Sequence, residues 1–146
     1  LEELPPLRVL LVEDGTVNQR VVLGMLRLLG HQADLAVNGA EALDAARRQP
    51  YDLILMDVQM PVMNGLEATA AIRAFEEQQP RRGRAAIHGL SANAYESDRD
   101  RGLAAGMDGY LTKPVGLETL RELLERVHQT KPPGAGVPAT GGVLRS

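Results

Sequence analysis

The sequence predicts an α/β domain in which one parallel sheet carries helices on both faces. Two observations support this fold class. Short runs rich in Leu, Val and Ile alternate five times with longer segments of helical periodicity, and Gly or Pro bounds several of these segments. Alternating strand–helix units favour parallel pairing, because each helix crosses back over the sheet. A ligand site in such a sheet is expected outside the carboxyl ends of the strands.

The first strand–helix unit begins at residue 8. The run RVLLVED (8–14) predicts a buried strand, and the segment after it has helical spacing that Gly30 should end. Thr16 and Gln19 have the spacing of a capping box at the start of this helix. A stripe of apolar side chains along the helix is expected to face the core. Its members are Val17, Val21, Val22, Met25, Leu26, Leu28 and Leu29.

The remaining elements continue the alternation. Strands are predicted at QADLAV (32–37), DLILM (52–56), AAIHGL (85–90) and GYLT (109–112). Helices are predicted at GAEALDAARRQ (39–49), GLEATAAIRAFEEQ (65–78), YESDRDRGLAAG (95–106) and LETLRELLERVHQ (117–129). His88 and Gly89 make the fourth strand the least regular, and QPRRGR before it is expected to be an exposed loop.

The chain is long enough for one domain with its own core. We predict this domain over residues 7–129, after a linker end at 1–6 and before a Pro/Gly-rich flexible tail or linker at 130–146. These two ends suggest a segment of a longer polypeptide.

The composition narrows the classes of function. A net charge of −3 gives no reason to expect nucleic acid as a partner, and no apolar stretch has the length of a membrane span. The absence of cysteine excludes disulfides, a thiolate nucleophile and a cysteine-based zinc site. Together these features are consistent with a cytoplasmic domain that makes no membrane contact.

Polar side chains follow the predicted strands at their carboxyl ends. They are Glu13, Asp14, Asp57, Ser91 and Lys113. Three carboxylates at one sheet edge raise one another's pKa unless a cation neutralises them, and an oxygen-only ligand set favours Mg²⁺. Lys113 adds a fixed positive charge that suits an anion. The set is suited to holding a phosphoryl group between metal and lysine, with a carboxylate as nucleophile.

Two neighbouring residues fit the same interpretation, because the Ser91 hydroxyl could donate to a phosphoryl oxygen and the small Ala92 leaves room. Each residue alone has a commoner explanation, such as a turn cap or a solvated charge, but their coincidence at one edge favours a site. No nucleotide-binding GxxxxGK[ST] loop competes. The three histidines, His31, His88 and His128, are expected to be structural or solvated. The loop arginines Arg81, Arg82 and Arg84 are expected to be solvated.

Four stretches together resemble the receiver domain of two-component response regulators. They are VED (12–14), LMDVQMPVMNG (55–65), LSANA (90–94) and GYLTKP (109–114). The resemblance covers about residues 7–129 and implies a flavodoxin-like (βα)5 fold with strand order 2-1-3-4-5. It also implies that Asp57 accepts a phosphoryl group from phosphohistidine. Gly15, after the acidic pair, and Asn64, before Gly65, depart from the residues common in that family.

The resemblance further implies a Mg²⁺ site. Asp14 and Asp57 would bind the ion directly, together with the backbone carbonyl of Gln59, and Glu13 would contribute through water. A second Asp two residues after the nucleophile is typical of aspartyl-nucleophile phosphohydrolases, so Gln59 argues against that alternative.

The resemblance assigns the remaining residues to phosphate binding and switching. Lys113 would pair with the phosphoryl group beside Ala92, and the Lys113–Pro114 bond would be cis. Ser91 and Tyr110 would form the switch pair, in which the hydroxyl turns to the phosphate, the ring moves inward and the surface around the fourth helix and fifth strand changes.

The residues of these motifs are most similar to those of receiver domains fused to hybrid sensor histidine kinases. The implied partners are a histidine kinase domain and a histidine phosphotransfer domain, and exposed first-helix residues near Asn18 and Arg20 are candidates for contacting the phosphodonor. Such a domain catalyses only its own phosphorylation and dephosphorylation, although its parent could be a kinase anchored in the inner membrane. A standalone regulator and an unphosphorylated pseudo-receiver remain alternatives.

Overall fold

The computed structural model describes residues 6–60, 62–92 and 96–130, with Glu96–Asp98 described by backbone alone. Within them lies one parallel sheet of order β2-β1-β3-β4-β5. The strands are β1 Arg8–Val12, β2 Gln32–Ala36, β3 Leu53–Asp57, β4 Ala86–Ser91 and β5 Gly109–Thr112. The helices are α1 Thr16–Leu28, α2 Gly39–Arg48, α3 Gly65–Gln78, α4 Glu96–Ala105 and α5 Leu117–Thr130.

These elements confirm the predicted fold class and strand order. Boundaries differ from the predictions by one or two residues, and α3 and β5 agree in full. Thr130, which we assigned to the tail, is the last residue of α5. Of the predicted linker end at 1–6 and tail at 130–146, residues 1–5 and 131–146 lie outside the described residues. No helix among the described residues is long and apolar enough to cross a membrane.

Side chains on the two faces of the sheet form two separate cores. Along β1, Val9 and Leu11 pack with α1 and α5, whereas Leu10 and Val12 pack with α2 and α3. The five residues of β3 are all buried, because this strand lies between β1 and β4 and has helices above and below. The strand that ends on Asp57 is therefore held from every side.

The turn after β3 brings α3 against the end of that strand. A Cβ on Gly65 would lie 2.2 Å from the Asp57 carbonyl oxygen, so only glycine permits this approach. Asn64 caps α3 through a capping box with Glu67, whose side chain accepts a hydrogen bond from the Asn64 backbone. Asn64 therefore keeps the capping function despite its departure from the family pattern.

Helix α1 differs from its prediction in two respects. Its N-cap is Gly15, with no side-chain capping bond, so the predicted Thr16–Gln19 capping box is wrong. The apolar stripe is also only partly core: Val22 and Leu26 are buried, whereas Val17 and Leu28 are each 73% exposed. The apolar side chains of α1 extend around more of the helix than the sheet covers. Those outside the covered face are exposed to solvent.

An ion-pair network joins α3 to the loops at the amino-terminal edge of the sheet. The Arg73 side chain is 12% exposed and donates to four groups. These are the Gly106 and Ala85 carbonyls and the carboxylates of Glu76 and Asp108. Every polar atom of this guanidinium is directed at a partner, which makes it a structural anchor.

Two arginines of the loop before β4, Arg82 and Arg84, make specific contacts, whereas the sequence predicts solvated side chains. Pro80–Arg82 form a 3-10 turn, in which the Arg82 guanidinium lies 5.2 Å from the centre of the Phe75 ring. Arg84 pairs with Asp108 at 2.7 Å. The Arg82 contact holds the loop against α3, and the Arg84 pair joins it to the residue before β5.

Two of the histidines connect the ends of the domain. His31 Nδ1 accepts a hydrogen bond from the Leu7 backbone, and its ring centre lies 6.2 Å from that of His128 in α5. Burial, aided by His128, lowers the pKa of His31. Burial also lowers the pKa of the half-buried His88, to about 4. Neutral His31 and His88 agree with the structural role predicted for them.

Candidate functional site

The carboxyl-terminal edge of the sheet brings the predicted polar residues together. Glu13 and Asp14 follow β1, Asp57 is the last residue of β3, and Lys113 follows β5. Glu13 and Asp57 are buried, at 2% and 3% exposure, whereas Asp14 is exposed. The site thus has two shielded carboxylates and one that faces the solvent.

Lys113 lies between the two buried carboxylates. Its Nζ is 3.1 Å from Glu13 Oε1 and 3.2 Å from Asp57 Oδ2. The backbone supports each group: Gln59 N donates to Asp57 Oδ1 at 3.1 Å, and Gly15 N donates to Glu13 Oε2 at 3.0 Å. One ammonium compensates two carboxylates here, so the buried part of the site has an excess of negative charge.

The donor set can hold a metal ion. One carboxylate oxygen from each of Glu13, Asp14 and Asp57 lies within 4.8 Å of the others. Glu13 Oε1 is buried and has the Lys113 ammonium beside it, but no donor is aligned for a hydrogen bond to it. Three carboxylate oxygens with surplus negative charge suit a hard divalent cation.

The surroundings shift the pKa values of Asp57 and Lys113. Burial, assisted by the Glu13 carboxylate, raises the pKa of Asp57 from 3.8 to about 6, although Lys113 and the Gln59 amide oppose this. Burial lowers the pKa of Lys113, but Asp57 and Glu13 outweigh it and hold that pKa above its usual value. Lys113 therefore stays charged at neutral pH.

The raised pKa of Asp57 predicts that the stability of the metal-free fold depends on pH. The folded state favours protonated Asp57. The contribution of this protonation to the free energy of unfolding is therefore complete below pH 3.8 and is lost as the pH rises through about 6. In chelator, Asp57→Asn should raise the free energy of unfolding by about 1–3 kcal/mol at pH 7.5 and by little at pH 4. Urea unfolding at both pH values measures this, and an equal gain at both would contradict the assignment.

The other predicted residues lie around this centre. Ser91 is the buried last residue of β4, and its carbonyl accepts a hydrogen bond from the Lys113 backbone at 2.8 Å. Ala92 follows it and is exposed, and Tyr110 is a half-buried residue of β5. Gln59 contacts Asp57 through its backbone amide, and the role of its carbonyl stays a prediction. Asn93 and Ala94 of the fourth motif are outside the described residues.

One supporting residue was not predicted in this role. Gln19 Nε2 donates to the Glu13 carbonyl at 2.8 Å, so the first turn of α1 fixes the backbone of the acidic pair. The sequence signal was the Gln at this spacing, which we had interpreted as a cap. Gly15 belongs to the same support, since its amide binds the Glu13 carboxylate.

Fold and site together define a doubly wound α/β domain with an acidic, cation-binding centre at the carboxyl-terminal edge of its sheet. Residues 9–125 match the response regulator receiver domain, and the chain belongs to that family. It is a receiver domain of two-component signalling, and the predicted family membership is confirmed.

Known proteins of the family give the comparison. The chain is 43% identical over 122 residues to hybrid signal transduction histidine kinase G of Dictyostelium discoideum, covering 82% of this chain and 4% of that one. It is 37% identical to the sensor protein EvgS of Escherichia coli over 123 residues, covering 84% of this chain and 10% of that one. The chain thus spans only a small part of these relatives.

Two crystal structures are similar in backbone. The receiver domain of a Pseudomonas aeruginosa sensor histidine kinase, with magnesium in its active-site cleft, has a TM-score of 0.75 and 44% identity, covering 84% of this chain and 97% of that one. A Saccharomyces cerevisiae response regulator receiver, in complex with a histidine phosphotransfer protein, has a TM-score of 0.75 and 35% identity, with coverage of 88% and 90%.

Proposed function

We propose that this domain accepts a phosphoryl group from phosphohistidine onto Asp57 in the presence of Mg²⁺. The observation that carries the proposal is the position of Asp57, buried at the end of the central strand and flanked by Lys113 and two further carboxylates. Asp14 and Asp57 would bind the ion directly with the Gln59 carbonyl, and Glu13 through water. Bound Mg²⁺ would neutralise charge on the carboxylates and the phosphoryl oxygens.

The chain's own residues supply the nucleophile and its placement. In the transfer, an Asp57 carboxylate oxygen forms a bond to phosphorus while the donor's phosphorus–nitrogen bond breaks, and the electron pair returns to the imidazole. The rigid β3 strand and the Gln59 amide orient the carboxylate, leaving little to reorganise. Lys113, already 3.2 Å from Asp57, would pair with the transferred group, and Ser91 would donate to it.

Intact mass after treatment with a small acyl phosphate and Mg²⁺ tests this function. We expect a gain of one phosphoryl mass, prevented by chelator and removed by hydroxylamine, which cleaves acyl phosphates. No gain with metal bound would favour the unphosphorylated interaction module. Continued turnover of a generic phosphomonoester would instead favour the phosphohydrolase.

We further propose that a histidine kinase domain and a histidine phosphotransfer domain are the partners of this domain, and that α1 contributes to docking. Val17 lies in the first turn of α1, at the end of the helix that contacts the Glu13 backbone through Gln19, and Val21 lies one turn further along; both are exposed apolar residues. Asn18 and Arg20 lie beside them. Exposed apolar side chains next to the reacting group are suited to holding a partner there.

A matched pair of substitutions tests this surface. Val17→Ser combined with Val21→Ser should weaken binding of a phosphotransfer domain about tenfold, because burial of two small apolar side chains is lost. Leu28→Ser is the control, since Leu28 is as exposed as Val17 but lies at the far end of α1. Titration calorimetry would contradict the proposal if the control weakened binding as much as the double variant.

We propose a hybrid sensor histidine kinase as the parent chain, with this domain in the cytoplasm. The support is that relatives of this type contain the domain as a small fraction of their length. The coding sequence on either side of this segment tests the proposal. A kinase core encoded beside this segment would support the hybrid parent. A start codon shortly before it and a stop codon shortly after it would support a standalone regulator.

A further inference from the structure

The Tyr110 ring lies in a slot between β4 and α4. Gly89 of β4 pairs with Tyr110 in the sheet, and Gly102 of α4 lies across from it. A Cβ on Gly89 would lie 2.9 Å from Tyr110 Cε1 and 2.8 Å from Met107 Sδ. A Cβ on Gly102 would lie 3.1 Å and 3.0 Å from the same two atoms. Two glycine surfaces and one methionine therefore enclose the edge of the ring.

The small size of glycine, rather than its backbone freedom, explains why Gly89 and Gly102 occupy these positions. The glycines with positive φ among the described residues are Gly30, Gly83 and Gly106. Gly89 and Gly102 instead have conformations that other residues adopt. Glycine is unfavourable inside a strand or a helix, so its presence at both positions has a packing reason. The reason the structure offers is room for the ring.

Alanine at either position would displace the ring or Met107. The methionine is flexible at its sulfur, but Met107 is only 3% exposed and is packed in the core. The ring is rigid, and rotation about its χ1 bond would carry it out towards the solvent at the open edge of β5. The slot thus distinguishes an inward from an outward position of Tyr110.

We propose that the Gly89–Gly102 slot holds the Tyr110 ring inward before any phosphoryl group is transferred. The two glycines are then positioning residues that set the resting state of the switch. This inference rests on the proposed function, phosphorylation of Asp57. It differs from the switching that the family resemblance implies, in which the Tyr110 ring moves inward only after the transfer. It predicts that phosphorylation changes the ring position little and that the β5–α4 surface is pre-set for its readers.

Nuclear Overhauser effects measure the ring position directly. In the metal-free wild type, Tyr110 ring protons should show effects to the α protons of Gly89 and Gly102. Beryllofluoride with Mg²⁺, a stable phosphoryl mimic, should leave them in place. Without the mimic, Gly89→Ala should abolish the effect between the Tyr110 ring and Gly102, and Gly102→Ala should abolish the effect between the ring and Gly89. With the mimic, each variant should regain at least part of its lost effect.

Gly24→Ala in α1 is the matched control, because a Cβ there meets nothing within 4 Å. It should leave the ring contacts unchanged. Absence of the contacts in the wild type, or their persistence in both slot variants, would overturn the proposal. If one variant does not fold, the wild type and the other variant decide. Mass measurement of Asp57 phosphorylation on the same samples separates failure of the slot from failure of the proposed function.

Discussion

Asp57→Asn is expected to abolish uptake of the phosphoryl group from a small acyl phosphate. The amide of asparagine has no anionic oxygen to attack phosphorus, and no other carboxylate of the site occupies the same position between Lys113 and the Gln59 amide. We expect labelling at least about a hundredfold below wild type, the loss typical when a nucleophile is removed. Intact mass and peptide mapping measure this.

Asp52→Asn is a matched control for that substitution. Asp52 immediately precedes β3, is also buried, and accepts a hydrogen bond from the Arg8 backbone at the opposite edge of the sheet. An asparagine can keep that bond, so phosphoryl uptake should be retained. Label on another residue of the Asp57→Asn protein at the wild-type rate would refute the assignment of the nucleophile.

Arg73→Ala is expected to cause a large loss of stability away from the site. The substitution leaves two backbone carbonyls and parts of two carboxylates without their donor in a half-buried location. We expect the free energy of unfolding to fall by about 2–4 kcal/mol, as for other broken ion pairs shielded from water. Urea unfolding at pH 7.5 measures the loss.

Arg121→Ala provides the contrast for Arg73. Arg121 also pairs with two carboxylates, Glu118 and Glu125, but all three are on the solvent side of α5. Such pairs contribute little, so its removal should cause no measurable change. Equal losses from the two substitutions would show that the number of ion pairs, rather than their burial, determines the effect.

The strands and the site could be predicted from the sequence because their signals are local. An unbroken apolar run such as Leu53–Met56 is compatible with a strand buried on both faces, and the residue after it must then lie at the edge of the sheet. The parallel arrangement places Glu13, Asp57 and Lys113 at the same edge of the sheet, and the strand order brings them into contact. The charge pattern at one edge therefore followed from the fold class.

The features that could not be predicted depend on neighbours distant in the chain. The helical period of α1 shows that Val17, Val22 and Leu28 are apolar, but only the covered width of the sheet decides which are buried. The loop arginine Arg82 has the same sequence context whether it is solvated or stacked on Phe75. Predicting the slot at Gly89 would require knowing where α4 packs on β4, and the local sequence does not encode that position.

The contact between His31 and His128 has a consequence for assembly. Leu7, the residue before β1, donates its backbone N–H to His31, and His128 lies in the last turn of α5. The two ends of the described domain therefore meet at the edge opposite Asp57. A domain with adjacent ends can be inserted between two others without separating them. Both ends of the described domain therefore lie on the side of the sheet away from Asp57.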